Sequence, residues 1–269
     1  MKVGYLGPKG TFSEEAACRY FAKREAELLP YPTILDVLDE VEAGRIDKAI
    51  VPLENTIEGS IIFAVDRLNE SEDLFVQGEI VLDIAQNLLA AGPVKLEDLK
   101  EIWSIPPAIS QCRLLIKKLK AEVKNFDSTV AAAIAVQESG RQDVAAIASA
   151  WAAKQWGLQI IASDIQDSAS NHTRFVVVTK GVQLLEAPRK TMMVILPNHE
   201  RSGVLMSILQ VFFALDLNLS WIESRPTKKR LGTYQFYLDV EAGLEDERTV
   251  KAVSILKTLG HQLKILGSY

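Results

Sequence analysis

The sequence predicts an α/β protein in two parts, and two observations carry this prediction. Strand-like apolar runs alternate with amphipathic helical patterns over the first 180 residues, an order that builds a largely parallel sheet flanked by helices. From residue 191 the order becomes strand, helix, strand, strand, helix, strand, which is the ferredoxin-like unit. Between them, residues 181–190 contain Pro188 and break the α/β rhythm, so we expect a linker there.

Hydrophobic spacing orders the elements of the first 180 residues. Alternating apolar residues indicate strands, and apolar residues three or four apart indicate helices. These elements suffice for two lobes, and we expect lobe one to span about 1–78 and 164–180 and lobe two about 79–163. The predicted strands are 3–6, 48–52, 81–91, 102–104 and 144–148, and the predicted helices are 12–24, 34–41, 109–119, 128–137 and 149–156.

The region 191–269 is short and regular. Its helical patterns are separated by strand-like runs in the order that the ferredoxin-like unit requires. The predicted strands are 191–196, 218–225, 231–240 and 262–266, and the predicted helices are 203–214 and 246–258.

Composition excludes several classes of protein. The chain is 48% hydrophobic and 24% charged with a formal net charge of -5, which is typical of a globular domain and gives no reason to expect a nucleic-acid or membrane partner. Two cysteines make no disulfide framework, and the N-terminus does not read as a secretory signal, so we expect a cytoplasmic protein. The three histidines lack metal-ligand spacing, so we expect neither a metal nor a cofactor.

The first candidate site is the loop Gly7–Glu14, which joins the first strand to the first helix. Thr11 followed three residues later by Glu14 fits a capping box, so the backbone N–H groups of the helix start would face the carboxyl end of the sheet. Such a helix start suits a carboxylate, and Phe12 and Ser13 lie beside it. The alternative is a tight turn with an ordinary cap.

A second polar cluster, Val51–Ser60, follows the strand at 48–52. It places two carboxylates, the amide of Asn55 and two hydroxyls, including Thr56, at a strand end. A polar helix entry is the alternative, but two polar strand ends in one lobe indicate a pocket. In lobe two, the facing wall would be formed by Ser104, Ser110, Gln111 and the turn Asp127-Ser128-Thr129. The alternative is that each of these is a cap or an exposed polar residue.

The run Ser170–Phe175 completes the pattern. Thr173 and Arg174 open an apolar strand directly after a turn, which is where α/β folds hold their ligands. The alternative is an edge hydroxyl and a solvated charge. Together with the two polar strand ends described above, this run indicates a ligand-binding site.

Several motifs occur in this chain in the order seen in one enzyme family. They are Gly7–Ser13, Pro52–Ser60, Gln111-Cys112, Ser128-Thr129, Ile165–Asp167, Asn171–Phe175 and Glu223–Pro226. With this set, the chain resembles a monofunctional prephenate dehydratase with a C-terminal ACT regulatory domain. The resemblance implies a two-lobed catalytic domain like the periplasmic binding proteins at 1–180 and the ACT domain at 191–269.

The resemblance implies the reaction and its residues. Prephenate, the substrate, would lose its ring carboxylate as CO2 and its hydroxyl as water to give phenylpyruvate in phenylalanine biosynthesis, under feedback control by phenylalanine. Thr173, Arg174 and Phe175 would be catalytic. Because a hydroxyl is too weak an acid to donate a proton outright, Thr173 would either bind the departing oxygen by a hydrogen bond or pass a proton through a relay. The substrate-binding residues would be Thr11, Phe12, Ser13, Asn55, Thr56, Gln111, Ser128, Thr129 and Asn171, and the effector-binding residues would be Asn198, Ser202, Gly203, Val204, Leu205, Glu223, Ser224, Arg225 and Pro226.

Three departures from the family pattern bear on these roles. Thr56 stands where Ser is usual and keeps the hydroxyl, whereas Ile105 occupies a position often held by His, which argues against an essential imidazole there. Val204 replaces a smaller Ala in the effector region.

Other functions and the assembly stay open at this point. Arogenate is a rival substrate, and a non-catalytic sensor that binds small anions is a rival from another class. A homodimer or homotetramer through the ACT and catalytic domains is expected, because pairing would cover an exposed edge of the second sheet.

Overall fold

The computed structural model of the protein describes residues 1–168, 170–183, 185–199 and 202–269. They form a mixed α/β fold, as predicted, in two compact units. The first unit comprises Met1–Ala64 and Ile80–Val176, and the second comprises Val65–Glu79 and Val177–Tyr269. Within the described residues, no helix combines the length and apolar character that a membrane crossing requires.

Helices and strands alternate as the hydrophobic pattern predicts. The helices are α1 Phe12–Tyr20, α2 Ile34–Glu42, α3 Ile62–Glu70, α4 Pro106–Gln111, α5 Arg113–Leu119, α6 Thr129–Ser139, α7 Ala150–Trp156, α8 Val204–Ala214 and α9 Glu247–Thr258. The strands are β1 Lys2–Leu6, β2 Glu27–Tyr31, β3 Lys48–Asn55, β4 Gly59–Ser60, β5 Leu74–Asp83, β6 Asn87–Ala90, β7 Glu101–Ser104, β8 Glu122–Asn125, β9 Val144–Ala148, β10 Gln159–Ala162, β11 His172–Lys180, β12 Thr191–Leu196, β13 Leu219–Pro226, β14 Tyr234–Val240 and β15 Gln262–Ser268.

The first unit contains strands of two sheets, and we use lobe one for the part built on the first sheet and lobe two for the part built on the second. In one, β11, β3, β1 and β2 follow in that order, and β1 is parallel to both β2 and β3. In the other, the order is β10, β6, β9, β7, β8, with β7 parallel to β8 and β9. The Ala-rich helix α6 packs its buried residues on this second sheet, which leaves its N-terminus at the sheet's carboxyl edge.

Three of the strands that the hydrophobic pattern did not predict lie at sheet edges. β2, β8 and β10 each end their sheet, β2 contains Pro30, and every residue of β8 is exposed. An edge strand carries little apolar alternation because little of it is buried.

Two predicted elements are interrupted in the structure. The strand expected at 81–91 breaks at residues 84–86, because the N–H of Ile84 bonds to the Asn171 carbonyl (2.7 Å) and that of Gln86 to the Gln166 side chain (2.9 Å). The helix expected at 109–119 divides at Cys112 into α4 and α5. Both breaks turn polar side chains toward one cavity, described below.

The second unit has the predicted ferredoxin-like topology. Its strands follow in the order β13, β14, β12, β15, and neighbouring strands are antiparallel. Helices α8 and α9 cover one face through a core that includes Ile208, Phe212 and Leu256. β15 also pairs in parallel with β5, at Gly267 and Val76, so closely that a Cβ on Gly267 would collide with the Val76 carbonyl.

The residues 65–79 group with the C-terminal part of the chain rather than with the residues that precede them. The predicted boundaries at 180 and 190 were drawn along the sequence and stay a prediction. Leu184, inside the predicted linker, lies outside the described residues.

Candidate active site

A cavity of about 390 Å³ opens between the two lobes of the first unit. Its size suits a small organic molecule. Most of the residues predicted to be catalytic or to bind substrate line it, namely Thr11, Phe12, Ser13, Asn55, Gln111, Ser128, Thr129, Asn171, Thr173 and Phe175. We call this cavity the cleft.

The first loop reaches the cleft through a cap that differs in one detail from the predicted capping box. Thr11 is the N-cap of α1, and its hydroxyl accepts from the N–H of Glu14 (3.3 Å). The Glu14 carboxylate accepts from the N–H of Gly10 (2.7 Å) instead of that of Thr11, and also from Trp151 Nε1 of lobe two (2.7 Å). Glu14 therefore ties the loop to α7 as well as to α1.

Asn55 holds Thr173 in one orientation. Its Oδ1 accepts from the backbone N–H groups of Ile57 and Glu58, both at 2.9 Å, which fixes the amide so that Nδ2 is the donor on the other side. This Nδ2 lies 2.9 Å from Thr173 Oγ1 and 2.8 Å from Asn171 Oδ1. Because Thr173 accepts from Asn55, its own O–H is available to donate into the cleft.

The same set of amides continues across the cleft to lobe two. Asn171 Nδ2 donates to Gln111 Oε1 (3.0 Å), and Gln111 Nε2 donates to Glu58 Oε1 (3.0 Å). Asn171 is nearly fully buried, whereas Glu58 is exposed. Glu58 is one of the two carboxylates of the polar cluster Val51–Ser60, but its bond to Gln111 could not be predicted from the sequence, because the two residues lie 53 positions apart.

Two helices present their N-termini to the cleft from opposite lobes. Thr11 caps α1, and Ser128 caps α6 by accepting from the N–H of Ala131 (2.9 Å). The side chains of the described lining residues include two carboxylates, of Glu58 and Asp127, but no lysine or arginine. An anion in this cleft would therefore meet helix N-termini, amides and hydroxyls rather than fixed positive charges.

Two predicted residues do not line the cleft. Arg174 is buried, and as the residue between Thr173 and Phe175 in β11 it points to the opposite face of the strand. Thr56 lies outside the cleft lining and binds the backbone of His172, at the start of β11. Its N–H donates to the His172 carbonyl (2.9 Å), and its hydroxyl accepts from the His172 N–H (3.0 Å). Thr56 thus stabilises the start of the strand that carries Thr173.

Further residues line the cleft beyond those named as site residues from the sequence. Cys112, which follows Gln111 in the chain, is buried and is not one of them. Burial raises the pKa of its thiol to about 12, and the Asp167 carboxylate adds to this, so the thiol stays protonated at neutral pH. In a sequence, an apolar residue at the start of a loop does not indicate that it belongs to a binding site, and neither does a single glutamine outside any motif. The further lining residues are Leu6, Gly7, Pro52, Glu58, Ile61, Ile84, Gln86, Ile105, Pro107, Ala108 and Asp127.

The predicted effector residues fall into two groups within the second unit. Ser202 and Val204 line a cavity of about 240 Å³, together with His199 and Tyr234. Gly203, at the N-cap of α8, has a φ of 85°, a conformation that favours glycine.

The second group of predicted effector residues, Glu223–Pro226, lies on β13, which ends its sheet. Of the predicted segment 198–205, Glu200 and Arg201 lie outside the described residues.

Comparison with known proteins shows which family the chain is similar to. The family model described as prephenate dehydratase matches residues 3–183. A prephenate dehydratase of Bacillus subtilis (strain 168) is 38% identical over 281 residues, covering 100% of this chain and 98% of that protein.

Two solved structures are also similar along the whole chain. The prephenate dehydratase from Staphylococcus aureus subsp. aureus Mu50 has a TM-score of 0.91 at 35% identity, with 100% of both chains covered. A prephenate dehydratase from Arthrobacter aurescens in complex with L-Phe has a TM-score of 0.89 at 32% identity, covering 100% of this chain and 90% of that one.

Proposed function

The chain belongs to the prephenate dehydratase family, and we propose that its cleft converts prephenate to phenylpyruvate, CO2 and water with Thr173 as the catalytic hydroxyl. The reaction takes up one proton: the ring carboxylate leaves as CO2, its electron pair makes the ring aromatic, and the ring hydroxyl leaves as water. The observation that carries the proposal is the Asn55–Thr173 hydrogen bond, which directs the threonine O–H into the cleft.

Substrate carboxylates would be held without lysine or arginine. The N-termini of α1 and α6, capped by Thr11 and Ser128, offer backbone N–H groups and the positive ends of two helix dipoles. Ser13 and Thr129, in the first turns of these helices, add hydroxyl donors. With one helix in each lobe, a molecule that carries two carboxylates can be bound from both sides.

Thr173 would act on the departing oxygen. Negative charge develops on that oxygen as the C–O bond breaks, and a fixed hydrogen-bond donor stabilises it most in the transition state. The Thr173 hydroxyl is such a donor because Asn55 occupies its acceptor side. Arg174 and Phe175 would keep the strand in place, Arg174 from the opposite face and Phe175 from the wall of the cleft.

The test is direct. Purified protein is mixed with prephenate, and the formation of phenylpyruvate is measured by its absorbance in alkali. Turnover supports the proposal, whereas binding of prephenate without phenylpyruvate would assign the chain to the class of small-anion sensors.

Arogenate is a second candidate substrate, and one observation favours it. Arogenate carries an ammonium where prephenate carries a keto group, and the described cleft wall has the carboxylates of Glu58 and Asp127 without a lysine or arginine. Such a wall attracts an ammonium. Parallel assays with both substrates at equal concentration compare the two values of kcat/KM.

Phenylalanine would act through the second unit. The similar protein from Arthrobacter aurescens was solved with L-Phe, and the cavity beside Gly203 offers backbone N–H groups at the start of α8 for an amino-acid carboxylate. The effector residues that we propose are those named from the sequence, with Glu223–Pro226 supplied by a neighbouring copy.

A homodimer or homotetramer in the cytoplasm follows from the same proposal. β13 ends its sheet, and Phe213 and Met206 on α8 expose 85% and 65% of their surfaces. A second copy would pair this edge and cover these side chains. Sedimentation analysis with and without phenylalanine measures the assembly.

A further inference from the structure

Gln86 carries a buried hydrogen-bonding atom that the protein leaves unmatched. The residue is 4% exposed, and its side-chain Oε1 is buried without a hydrogen-bond partner. An unmatched buried acceptor is costly, because it has lost its water and gained nothing in return. Among the described residues that line the cleft, Gln86 is the one with such an atom.

The backbone of Gln86 is, in contrast, fully engaged. Its N–H donates to Gln166 Oε1 (2.9 Å), and its carbonyl accepts from the N–H of Ile165 (2.9 Å). Two residues earlier, the N–H of Ile84 bonds to the Asn171 carbonyl (2.7 Å), which ties this segment to the start of the strand that carries Thr173. The backbone at Gln86 is thus held in place on the cleft wall, whereas the side-chain Oε1 has no donor among the described residues.

The chemistry of the substrate leaves one group that can supply this donor. At neutral pH both carboxylates of prephenate are ionised and its keto oxygen can only accept, so the ring hydroxyl is the sole hydrogen-bond donor of the dianion. This step rests on the proposed function. A lone unmatched acceptor in the cleft wall and a lone donor on the substrate are complementary.

We propose that the side-chain carbonyl of Gln86 accepts a hydrogen bond from the ring hydroxyl of prephenate and is a substrate-binding residue of the cleft. With its hydrogen held by Gln86, the hydroxyl oxygen presents its lone pairs to the Thr173 O–H. Gln86 then orients the bond that breaks, and Thr173 stabilises the oxygen as it departs.

The experiment uses Gln86→Met, which keeps the length of the side chain and removes the amide. Two results of opposite sign are expected. The free protein gains stability, with Tm higher by about 2 to 4 °C, because the unmatched acceptor is gone. The kcat/KM for prephenate falls by about 10- to 100-fold, because the bond to the hydroxyl is lost.

Phenylpyruvate provides the control ligand, since the product lacks the ring hydroxyl. Its inhibition constant as a competitive inhibitor should stay within about threefold of the wild-type value in Gln86→Met. Gln137→Met, at an exposed position of α6, is the control variant and should change neither Tm nor kcat/KM. Gln86→Leu repeats the measurements with a branched side chain if the methionine variant does not fold.

The outcomes separate this inference from the proposed function. Absence of phenylpyruvate formation by the wild type would overturn the function itself. A wild type that turns over prephenate, together with a Gln86→Met enzyme whose kcat/KM stays within about threefold, would overturn the role of Gln86 alone. Equal losses of affinity for prephenate and phenylpyruvate would also overturn it, because the effect would not then depend on the hydroxyl.

Discussion

Arg225 binds the Asp66 carboxylate with two hydrogen bonds, from Nε to Oδ1 at 3.3 Å and from Nη2 to Oδ2 at 3.1 Å. Both side chains are mostly buried, and Lys228 Nζ approaches the same carboxylate to 2.9 Å. Asp66 lies on α3, which begins directly after Ile61 of the cleft wall, and Arg225 belongs to the predicted effector segment. Within the second unit, the pair thus joins α3 to β13, the strand proposed to bind phenylalanine.

The first prediction concerns the stability that this pair provides. Burial raises the pKa of Asp66, but the hydrogen bonds from Arg225 and Lys228 outweigh it, so the pKa lies below its usual value. A carboxylate with a lowered pKa stabilises the fold above its unfolded pKa and loses this effect as the pH falls through the folded value. Asp66→Asn should therefore lower the free energy of unfolding by about 2 kcal/mol at pH 7 and by much less near pH 3.

Urea denaturation at the two pH values measures this difference. Asp98→Asn, at an exposed position between β6 and β7, is the matched control. An Asp66→Asn protein that is equally destabilised at both pH values would show that the carboxylate charge is not the cause.

The second prediction concerns Thr173. Thr173→Ala should reduce kcat by about 10² to 10⁴ with a small change in KM, because the hydroxyl acts mainly in the transition state. Thr173→Ser keeps the hydroxyl beside Asn55 and should retain most of the activity. Steady-state kinetics with prephenate decide it: an alanine variant within about threefold of wild type would exclude Thr173 from the chemistry.

The third prediction concerns the link between Glu58 and Gln111. Glu58 must accept from Gln111 for the latter to offer its oxygen to Asn171. Glu58→Lys replaces the acceptor of Gln111 Nε2 by a donor, so the Gln111 amide should rotate and point its oxygen to the lysine. The bond from Asn171 to Gln111 would then be lost, and we expect kcat to fall by about tenfold. KM should not rise, because the new positive charge attracts the dianionic substrate.

Exchange of the two side chains tests the same link. Gln111→Glu alone sets two carboxylates against each other, whereas the double variant Glu58→Gln with Gln111→Glu restores a donor and an acceptor in the right places. Recovery of kcat in the double variant is the expected result. Glu138→Lys, exposed on α6, controls for the change in net charge, and an equal loss there would remove the argument from hydrogen bonding.

The fourth prediction concerns phenylalanine. Gly203 has a positive φ, and a valine there would strain the turn that starts α8. Gly203→Val combined with Ser224→Ala should weaken phenylalanine binding in calorimetric titration and weaken inhibition in parallel, since the two effects share one coupling free energy. Wild-type affinity and inhibition in the double variant would place the effector at another site.

The sequence by itself determined the elements that depend on near neighbours. The Thr-x-x-Glu pattern predicted the cap of α1 at Thr11. Gly157, directly after the helix predicted at 149–156, ends α7 in the left-handed conformation. The strand and helix order of 191–269 predicted the ferredoxin-like topology. These features could be predicted because capping bonds act within a few residues and because the hydrophobic period reports which face is buried. The family motifs could predict site residues in both lobes because each motif is a short continuous segment of the chain.

The tertiary structure alone decided which hydrogen-bond partners those residues have and which way their side chains point. Asn55 and Thr173 are 118 positions apart, and Glu14 and Trp151 are 137 apart, so neither hydrogen bond has a signature along the chain. Arg174 was expected in the site beside Thr173, but the alternation of the strand turns it to the opposite face. That the side-chain carbonyl of Gln86 has no hydrogen-bond partner in the described part of the chain can be seen only from the positions of all neighbouring groups. Hydrogen-bond partners far apart in sequence are selected by packing, and a single chain carries no local record of that choice.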